Sequence, residues 1–576
     1  MRPPRWILVF SALGLIGVGA GAIGIYPLLI VAGWFSSHAS LSPEFTALLQ
    51  TEQIRFSALL VGLPLFFWIV RFIFAHGWPE KIASWRGHRI ALATAIAIVT
   101  FCVQGKLFDH VPHMTDAITH VYQAKLICAG KMTAPLPPCP ASFRAPNLLM
   151  TADGRAFSKY PPGQALIFAA AMKTGLLEWT GPILSAIAGW CLMSLLARIG
   201  GAMWGLFGGI LYLFSPLAIL LGASFMTHTT FLACMLGALL ALVRALEPGS
   251  PSRVRIGGLV AGFLIGYAAL LRPPDLAGAL VSMAVGWLLL VKNPIATKLR
   301  IAPWVVIGAA PVSALMMWWN HALYGSWLTV GYGVTKVASL FPVYQGHFGW
   351  HEGFTFRTSL IRAAWIFYRF DSALFGWPSS LLILPLAIFF APRRKLVVAC
   401  FVTVFVFVGL FLPYDYFGEE YEARYYSPLI PVCIALALFA ARVIVSRGDE
   451  SRAMERKIAL GSLIAAFQIF SVIAYWPAHL WPHYGHDYEG TTPSLVRAAA
   501  AKLSGPSVVL LDENSKRGAG PNTGLLFNDP WLSNRVIFAA EMPGGVACLA
   551  AQFKDRKLYR SFPEPSGGFR FEPVVP

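Results

Sequence analysis

Thirteen runs of mostly apolar residues punctuate this chain, at 7–33, 56–75, 89–107, 180–198, 202–220, 225–243, 256–271, 275–291, 301–319, 372–391, 396–413, 426–442 and 458–476. A helix needs about 20 such residues to cross a bilayer. Inside hydrocarbon every backbone N–H and C=O must be satisfied within the protein. The runs therefore predict an all-α polytopic membrane protein of about 13 transmembrane helices. Composition agrees, because only 12% of the 576 residues are charged and 57% are hydrophobic, whereas a soluble domain is about 25% charged. The 19 tryptophans suit rings placed at the two bilayer interfaces. A net charge of +18 raises nucleic acid as a partner. The basic residues, however, fall in short loops between apolar runs, the pattern of cytoplasmic loops, so no nucleic-acid partner is expected.

Charge also orients the chain. The N-terminus has a basic start and an apolar core too long for a cleaved signal, so it reads as an uncleaved first span. The loops carrying Arg71/Lys81/Arg86/Arg89, Arg244/Arg253/Arg255, Lys292/Lys298/Arg300, Arg393/Arg394/Lys395 and Arg442/Arg447/Arg452/Arg456/Lys457 should be cytoplasmic. Three spans then place 108–160 outside. A fourteenth, shorter run at 162–177 must not cross if Arg244 is to return to the cytoplasm, so it is expected to be interfacial or re-entrant. The outside receives loop 108–160, the Arg272-Pro273-Pro274-Asp275 turn, loop 320–370, the turn 414–425 and the tail. Every polar cluster of chemical interest thus lands on one face, which argues against a channel or transporter with polar groups at the bilayer midplane. The expected domains are 1–476, transmembrane, and 477–576, a small mixed α/β extracytoplasmic domain. In the latter, PSVVLLDENS and NRVIFAAEM read as short strands. That domain shows no catalytic motif; contact with an acceptor and capping of the outer face both remain open. The lack of retention signals and long insertions points to the cytoplasmic (inner) membrane of a bacterium.

The segment from Asp109 to Gly163 concentrates the chemistry. Asp109, His110, His113, Asp116 and His120 fall within twelve residues, and Lys159-Tyr160-Pro161-Pro162-Gly163 closes the segment. One chemistry these residues suit is sugar transfer from a polyprenyl-phosphate donor. The departing phosphate needs no general acid, so a single carboxylate can serve by deprotonating the attacking hydroxyl, and cations must hold the phosphate. Asp116 is the expected base, with Asp109 as a second carboxylate or metal ligand. Arg272, Arg424 and Lys159 are the expected phosphate-binding cations. Interfacial snorkelling is the competing reading, and it is weaker for the arginines because outward positive charge runs against the topology bias. Tyr160, His228 and Glu420 are expected to contact substrate. Glu420 belongs to an acidic run with Glu419 and Glu422 that could equally pair with Arg424 or form a solvated turn. His113, His351 and Glu352 could together hold a divalent metal (Mn, Mg or Zn), or the histidines could simply be hydrogen-bonded in loops. Eight cysteines without a C-x-x-C exclude a disulfide scaffold or zinc motif. Cys128 and Cys139 share the outer loop, and both a bridge and two free thiols stay open.

At these residues the chain resembles the GT-C superfamily of polytopic glycosyltransferases, which includes the protein O-mannosyltransferases and the aminoarabinose transferases. The similarity is carried by Asp109–Asp116, Tyr122-Gln123-Ala124-Lys125 and Gly130, Tyr160-Pro161-Pro162-Gly163, Ser215-Pro216, Ser224 and His228, Arg272-Pro273, and Arg424-Tyr425-Tyr426 before Pro428 and Pro431. It covers roughly 89–445. The resemblance implies a GT-C type fold, an extracytoplasmic active site, a polyprenyl-phosphate sugar donor and inversion at the sugar. It also implies an acidic first-loop position, commonly an Asp-Glu pair, at the acceptor site. That position is Asp116, and residue 117 is alanine, so the pair is reduced to one carboxylate. The expected function is transfer of a sugar from that donor to a hydroxyl of a lipid, glycan or protein acceptor. The alternative is a non-catalytic transporter or binding protein for lipid-linked glycans.

Overall fold

The computed structural model describes residues 66–576, apart from 248–249, 292–294, 296–298, 332–338, 343–346, 378–379, 383–386, 388–393, 416–419, 447–448, 486, 513–519, 565–567 and 575–576. The expected span 7–33 and the first half of 56–75 lie outside the described residues, as does much of 372–391.

The helices follow the apolar runs closely. They are α1 (His88–Phe108), then α2 (Thr115–Cys128) in the first outer loop and α3 (Gly163–Thr174) just after it. Next come α4 (Thr180–Gly200), α5 (Ala202–Leu213), α6 (Pro216–Ala223), α7 (Thr227–Ala245), α8 (Pro251–Ala269), α9 (Pro273–Leu290) and α10 (Ala302–Tyr324). They are followed by α11 (Phe356–Phe375), α12 (Arg394–Phe411), α13 (Ile430–Ser446) and α14 (Ala453–Phe470). Among the described residues seven helices are long and apolar enough to cross a membrane, or eight if one bent pair counts as a single span. The fold is thus a polytopic helical one. α3, with 12 residues, spans only about 18 Å, too short to cross.

Two elements depart from the hydropathy reading. The single span expected at 202–220 is the bent pair α5–α6, broken by 63°. Ser215 caps α6, its hydroxyl accepting from the Ala218 N–H at 3.3 Å, and Pro216 takes the first helical position, where its missing N–H costs nothing. The span expected to begin near 372 is instead preceded by α11, which starts at Phe356 and ends at Gly376 with φ +67, a left-handed C-terminal stop that suits glycine. Arg357, Arg362, Arg369 and Asp371 dilute the hydropathy of α11, so it reads as loop.

Two small sheets lie beyond the helices. In the first outer loop β1 (Ala134–Pro135), β2 (Leu148–Met150) and β3 (Arg155–Ser158) form an antiparallel sheet in the order β1-β3-β2, with Leu148 opposite Ser158. Beyond α14 the helix runs on as a π-helical stretch, Ser471–Leu480, and a last turn, Trp481–Tyr484. The domain boundary expected at 476/477 therefore falls inside a helix. The tail that follows is a mixed α/β unit of α15 (Pro493–Lys502), β4 (Ser507–Leu511), α16 (Pro521–Phe527), β5 (Val536–Ala540), α17 (Gly545–Gln552), β6 (Lys557–Pro563) and β7 (Phe569–Pro573). β4 pairs in parallel with β5 and β6, and β6 pairs antiparallel with β7. β4 is buried along its whole length, as a strand covered on both faces must be. Val509 and Leu511 pack toward Leu495, Ala499 and Phe538, while Val508 and Leu510 pack toward Ile537, Leu549 and Leu558.

Cys139, from the first outer loop, enters the second of these clusters and forms a disulfide with Cys548 of α17 (Cα–Cα 5.9 Å). Neither reading left open for Cys128 and Cys139 is right for both. Cys128 is a free thiol at the end of α2, its Sγ 3.4 Å from the Ala169 carbonyl of α3. It therefore faces the helical body, whereas Cys139 faces the tail unit.

Candidate active site

Asp116 stands in the first turn of α2, where the helix dipole favours a carboxylate. Its partners come from the sheet. Pairing of Leu148 with Ser158 puts Asn147 and Lys159 opposite each other at the end of the hairpin, where the Lys159 N–H donates to the Asn147 carbonyl at 3.2 Å. Asn147 Nδ2 donates to Asp116 Oδ1 at 2.5 Å and the Tyr160 hydroxyl donates to the same oxygen at 2.7 Å. The other oxygen, Oδ2, lies 4.0 Å from Arg424 Nη2. One turn along α2, the His120 ring packs against Tyr160 with centroids 4.8 Å apart. The Asp116 side chain keeps 25% of its surface open, so it is recessed but reachable. Burial pushes its carboxyl up. Arg424, Lys159, the Tyr160 hydrogen bond and His120 outweigh that, and hold it below the usual carboxylate range.

The cations arrive from three separate places. Arg424, 1% exposed, opens the turn leading into α13; its Nη1 meets the Glu420 carboxylate and the Glu420 carbonyl, each at 3.1 Å. Arg272 caps α9 immediately before Pro273-Pro274; its Nε pairs with Asp275 Oδ2 at 3.0 Å and its Nη1 donates to Thr227 Oγ1 at 3.4 Å. Both guanidinium carbons lie against the Tyr425 ring, at 5.4 Å for Arg272 and 5.2 Å for Arg424. Lys159 is buried with its ammonium 5.1 Å from the Tyr160 ring. Burial pushes it down to about 8, against the pull of Asp116. His228 lies with its ring 6.2 Å from Tyr425. Both of its ring nitrogens, and Nδ1 of His120, are buried without a hydrogen-bond partner among the described residues. Unpaired buried polar atoms cost free energy, and a polar ligand held among these cations would satisfy them.

The Tyr160-Pro161-Pro162-Gly163 corner is fixed to the end of α8. Gly163 N–H donates to the Leu270 carbonyl at 3.1 Å, and the Tyr267 hydroxyl donates to the Gly163 carbonyl at 2.7 Å. A Cβ on Gly163 would stand 2.6 Å from the Leu270 oxygen, so this approach, two residues from Arg272, requires glycine.

The structure therefore brings together Asp116, Lys159, Tyr160, His228, Arg272, Arg424 and Glu420, the last as the partner of Arg424. It separates the others. Asp109 is exposed at the C-cap of α1 in left-handed conformation (φ 49), and no hydrogen bond or ion pair among the described residues joins it to Asp116. His113 is buried with each ring nitrogen 3.2 Å from a carbonyl, of Tyr488 and of Phe108. His351 pairs with Asp415 at 3.2 Å, and Glu352 is exposed. Among the described residues no group of three or more His, Cys, Asp or Glu side chains could hold a metal. The expected ligand set does not come together: His113 and His351 serve other contacts, and Glu352 is exposed. Asn147, Tyr425 and Asp275 had no role in the sequence reading. Tyr425 lay within a motif already singled out, whereas nothing in the local sequence marks Asn147.

Beneath the cations opens a mainly apolar cavity of about 1150 Å³, bounded by α4, α7, α9, α12 and α13. Pro428, four residues past Arg424, and Phe231, three past His228, line it near the site; Arg198, Glu247 and Lys395 line it at the opposite, basic end.

At the level of sequence, neither a family model nor a curated protein matches the chain. Solved structures do resemble it. ArnT from Cupriavidus metallidurans in the apo state superposes with a TM-score of 0.51 at 12% identity, over 84% of this chain and 93% of that one. The same protein bound to undecaprenyl phosphate gives 0.42 at 12% identity, over 83% and 94%. The apo oligosaccharyltransferase of Archaeoglobus fulgidus gives 0.43 at 12% identity, over 85% and 75%. The likeness to apo ArnT covers most of both chains, and this protein shares the fold of that structure.

Proposed function

We propose that this protein is a glycosyltransferase that moves a sugar from a polyprenyl-phosphate donor to an acceptor hydroxyl at the outer face of the cytoplasmic membrane. The observation that carries the reading is the convergence of a reachable carboxylate, Asp116, with Arg424, Arg272 and Lys159 around Tyr425 and Tyr160. Asp116 takes the proton from the acceptor hydroxyl as its oxygen bonds to the anomeric carbon. The bond from that carbon to the phosphate oxygen breaks on the opposite side, giving inversion. The departing phosphate keeps the bonding pair, and Arg424, Arg272 and Lys159 stabilise its charge. No general acid is required: Asp116 serves as the base, while Glu420 and Asp275 are held at 3.1 and 3.0 Å by Arg424 and Arg272. The apolar cavity below the cations suits the polyprenyl chain.

Transfer of radiolabelled sugar from a panel of polyprenyl-phosphate donors by the purified protein tests the reading. Wild type should transfer. Asp116→Asn should bind donor normally and lose transfer by about 10²–10⁴-fold, the contribution of a general base. Tight donor binding without transfer to any acceptor would sink the enzyme assignment in favour of a binding protein.

A further inference from the structure

Two residues before Arg424 the backbone does something that a side-chain-bearing residue rarely does. Tyr421 and Glu422 both adopt left-handed conformation, with φ 54 and 58. For residues other than glycine that conformation is disfavoured, and it persists only where the surroundings over-determine it. Both side chains are fully buried, at 0% and 1%. The Tyr421 ring is held among Phe108, Tyr484 and Tyr488 at centroid distances of 5.6, 5.5 and 5.7 Å. Glu422 is tied down more tightly. Its Oε2 accepts from Arg369 Nε at 3.0 Å. Its Oε1 accepts from the Tyr484 hydroxyl at 3.0 Å and lies 3.1 Å from His479 Nε2. Its own N–H donates back to the Tyr484 oxygen at 2.9 Å. Burial pushes the Glu422 carboxyl up, but these donors win and hold it down at about 2, so it is ionised.

The three partners come from two elements that otherwise take no part in the site. Arg369 belongs to α11, and His479 lies in the π-helical stretch that leads to Tyr484. π-helical segments are rare and recur at functional positions.

We infer that Glu422 is a positioning residue, whose buried network holds the Tyr421–Glu422 turn left-handed and thereby aims the Arg424 guanidinium at Asp116 and the departing phosphate. Glu422 does not touch the substrate. It acts through Arg424, so the inference rests on the phosphate-binding role proposed above.

The test compares full-length Glu422→Ala with Glu422→Gly. Both remove the carboxylate and with it the same contacts to Arg369 and His479, but only glycine adopts the left-handed conformation freely. Polyprenyl phosphate binding is measured at 20 °C, well below melting. Affinity should fall about tenfold in Glu422→Ala and recover most of that loss in Glu422→Gly, and Glu422→Gly should melt higher than Glu422→Ala. In an Arg424→Ala background, Glu422→Ala should cause no further loss of affinity, because the effect travels through the guanidinium. Equal losses for alanine and glycine, an additive double variant, or wild-type affinity in Glu422→Ala would each overturn the inference. Should wild type bind no polyprenyl phosphate, the functional reading falls. The melting order then still decides whether the network restrains the turn, and Glu422→Ala melting as high as Glu422→Gly would overturn it.

Discussion

Asp116 and Lys159 titrate in opposite senses, and that sets the expected pH dependence. Asp116 is held below the usual carboxylate range, so its basic form is present throughout neutral pH and is lost only as pH falls through the lowered value. Lys159, pushed down by burial to about 8, keeps its charge below that pH and loses it above. The profile of kcat/KM for donor, which reports the free protein, should therefore fall as pH rises through about 8. Lys159→Met should remove that alkaline limb and lower kcat/KM at neutral pH by about tenfold or more, the worth of one charge-assisted contact. Stability should move the other way. An unfolded lysine stays charged to about pH 10.4, so the unfolded chain binds the extra proton above pH 8 and stability rises across that window. A fall in melting temperature through the same range would show that unfolding, not Lys159, causes the limb. The charged residues of this site were legible in the sequence because charge beside an apolar run needs a reason. Asn147 was not, since its contact with Asp116 depends on the pairing of Leu148 with Ser158, a register that no local pattern dictates.

Helices were legible where hydropathy is uniform and illegible where function or geometry intrudes. α1, α4 and α7 sit on their apolar runs. α11 was hidden because it carries Arg362, Arg369 and Asp371 inward, where they are buried or pair with neighbouring elements. The Tyr-Pro-Pro-Gly corner was visible as a turn, but not its destination at the end of α8. That contact yields a prediction. In Gly163→Ala the new methyl would meet the Leu270 carbonyl at 2.6 Å, and backbone rather than a flexible side chain must move. Destabilisation of about 1–3 kcal/mol is expected from such overpacking. Because the corner carries Tyr160 and its neighbour Lys159, donor KM should rise as well. Chemical denaturation and donor titration on the same preparation check both; an unchanged KM would mean that the corner and the cations are placed independently.

At the scale of the whole molecule, the loop that carries Asp116 is closed by residues hundreds of positions away. Thr115 Oγ1, beside Asp116, donates to Asn522 Oδ1 at 2.9 Å, and the His113 carbonyl accepts from Thr491 Oγ1 and Asn522 Nδ2 at 3.0 and 3.3 Å. Lys125 of α2 donates to the carbonyls of Leu526 and Asn528, and the Cys139–Cys548 disulfide joins the loop to α17 across 409 residues. A disulfide of this kind belongs to an oxidising compartment, which accords with the outside placement expected from the basic loops. The two kinds of link should separate by experiment. Cys548→Ser removes a long-range cross-link without touching α2, so it should cost about 2–5 kcal/mol of stability. Transfer at 25 °C should change little, and dithiothreitol should lower the melting temperature of wild type but not of the variant. Asn522→Ala removes the two hydrogen bonds that fix the start of α2, leaving the His113 carbonyl with Thr491 alone. It should lower kcat by about tenfold, since small misplacement of a base is costly in rate, with a smaller loss of melting temperature than Cys548→Ser. If Cys548→Ser instead abolished transfer while the protein stayed folded, the tail unit would have to shape the site through the 139 loop. If Asn522→Ala left kcat unchanged, the start of α2 would be held by the hairpin contacts of Asp116 and the Thr491 bond to the His113 carbonyl.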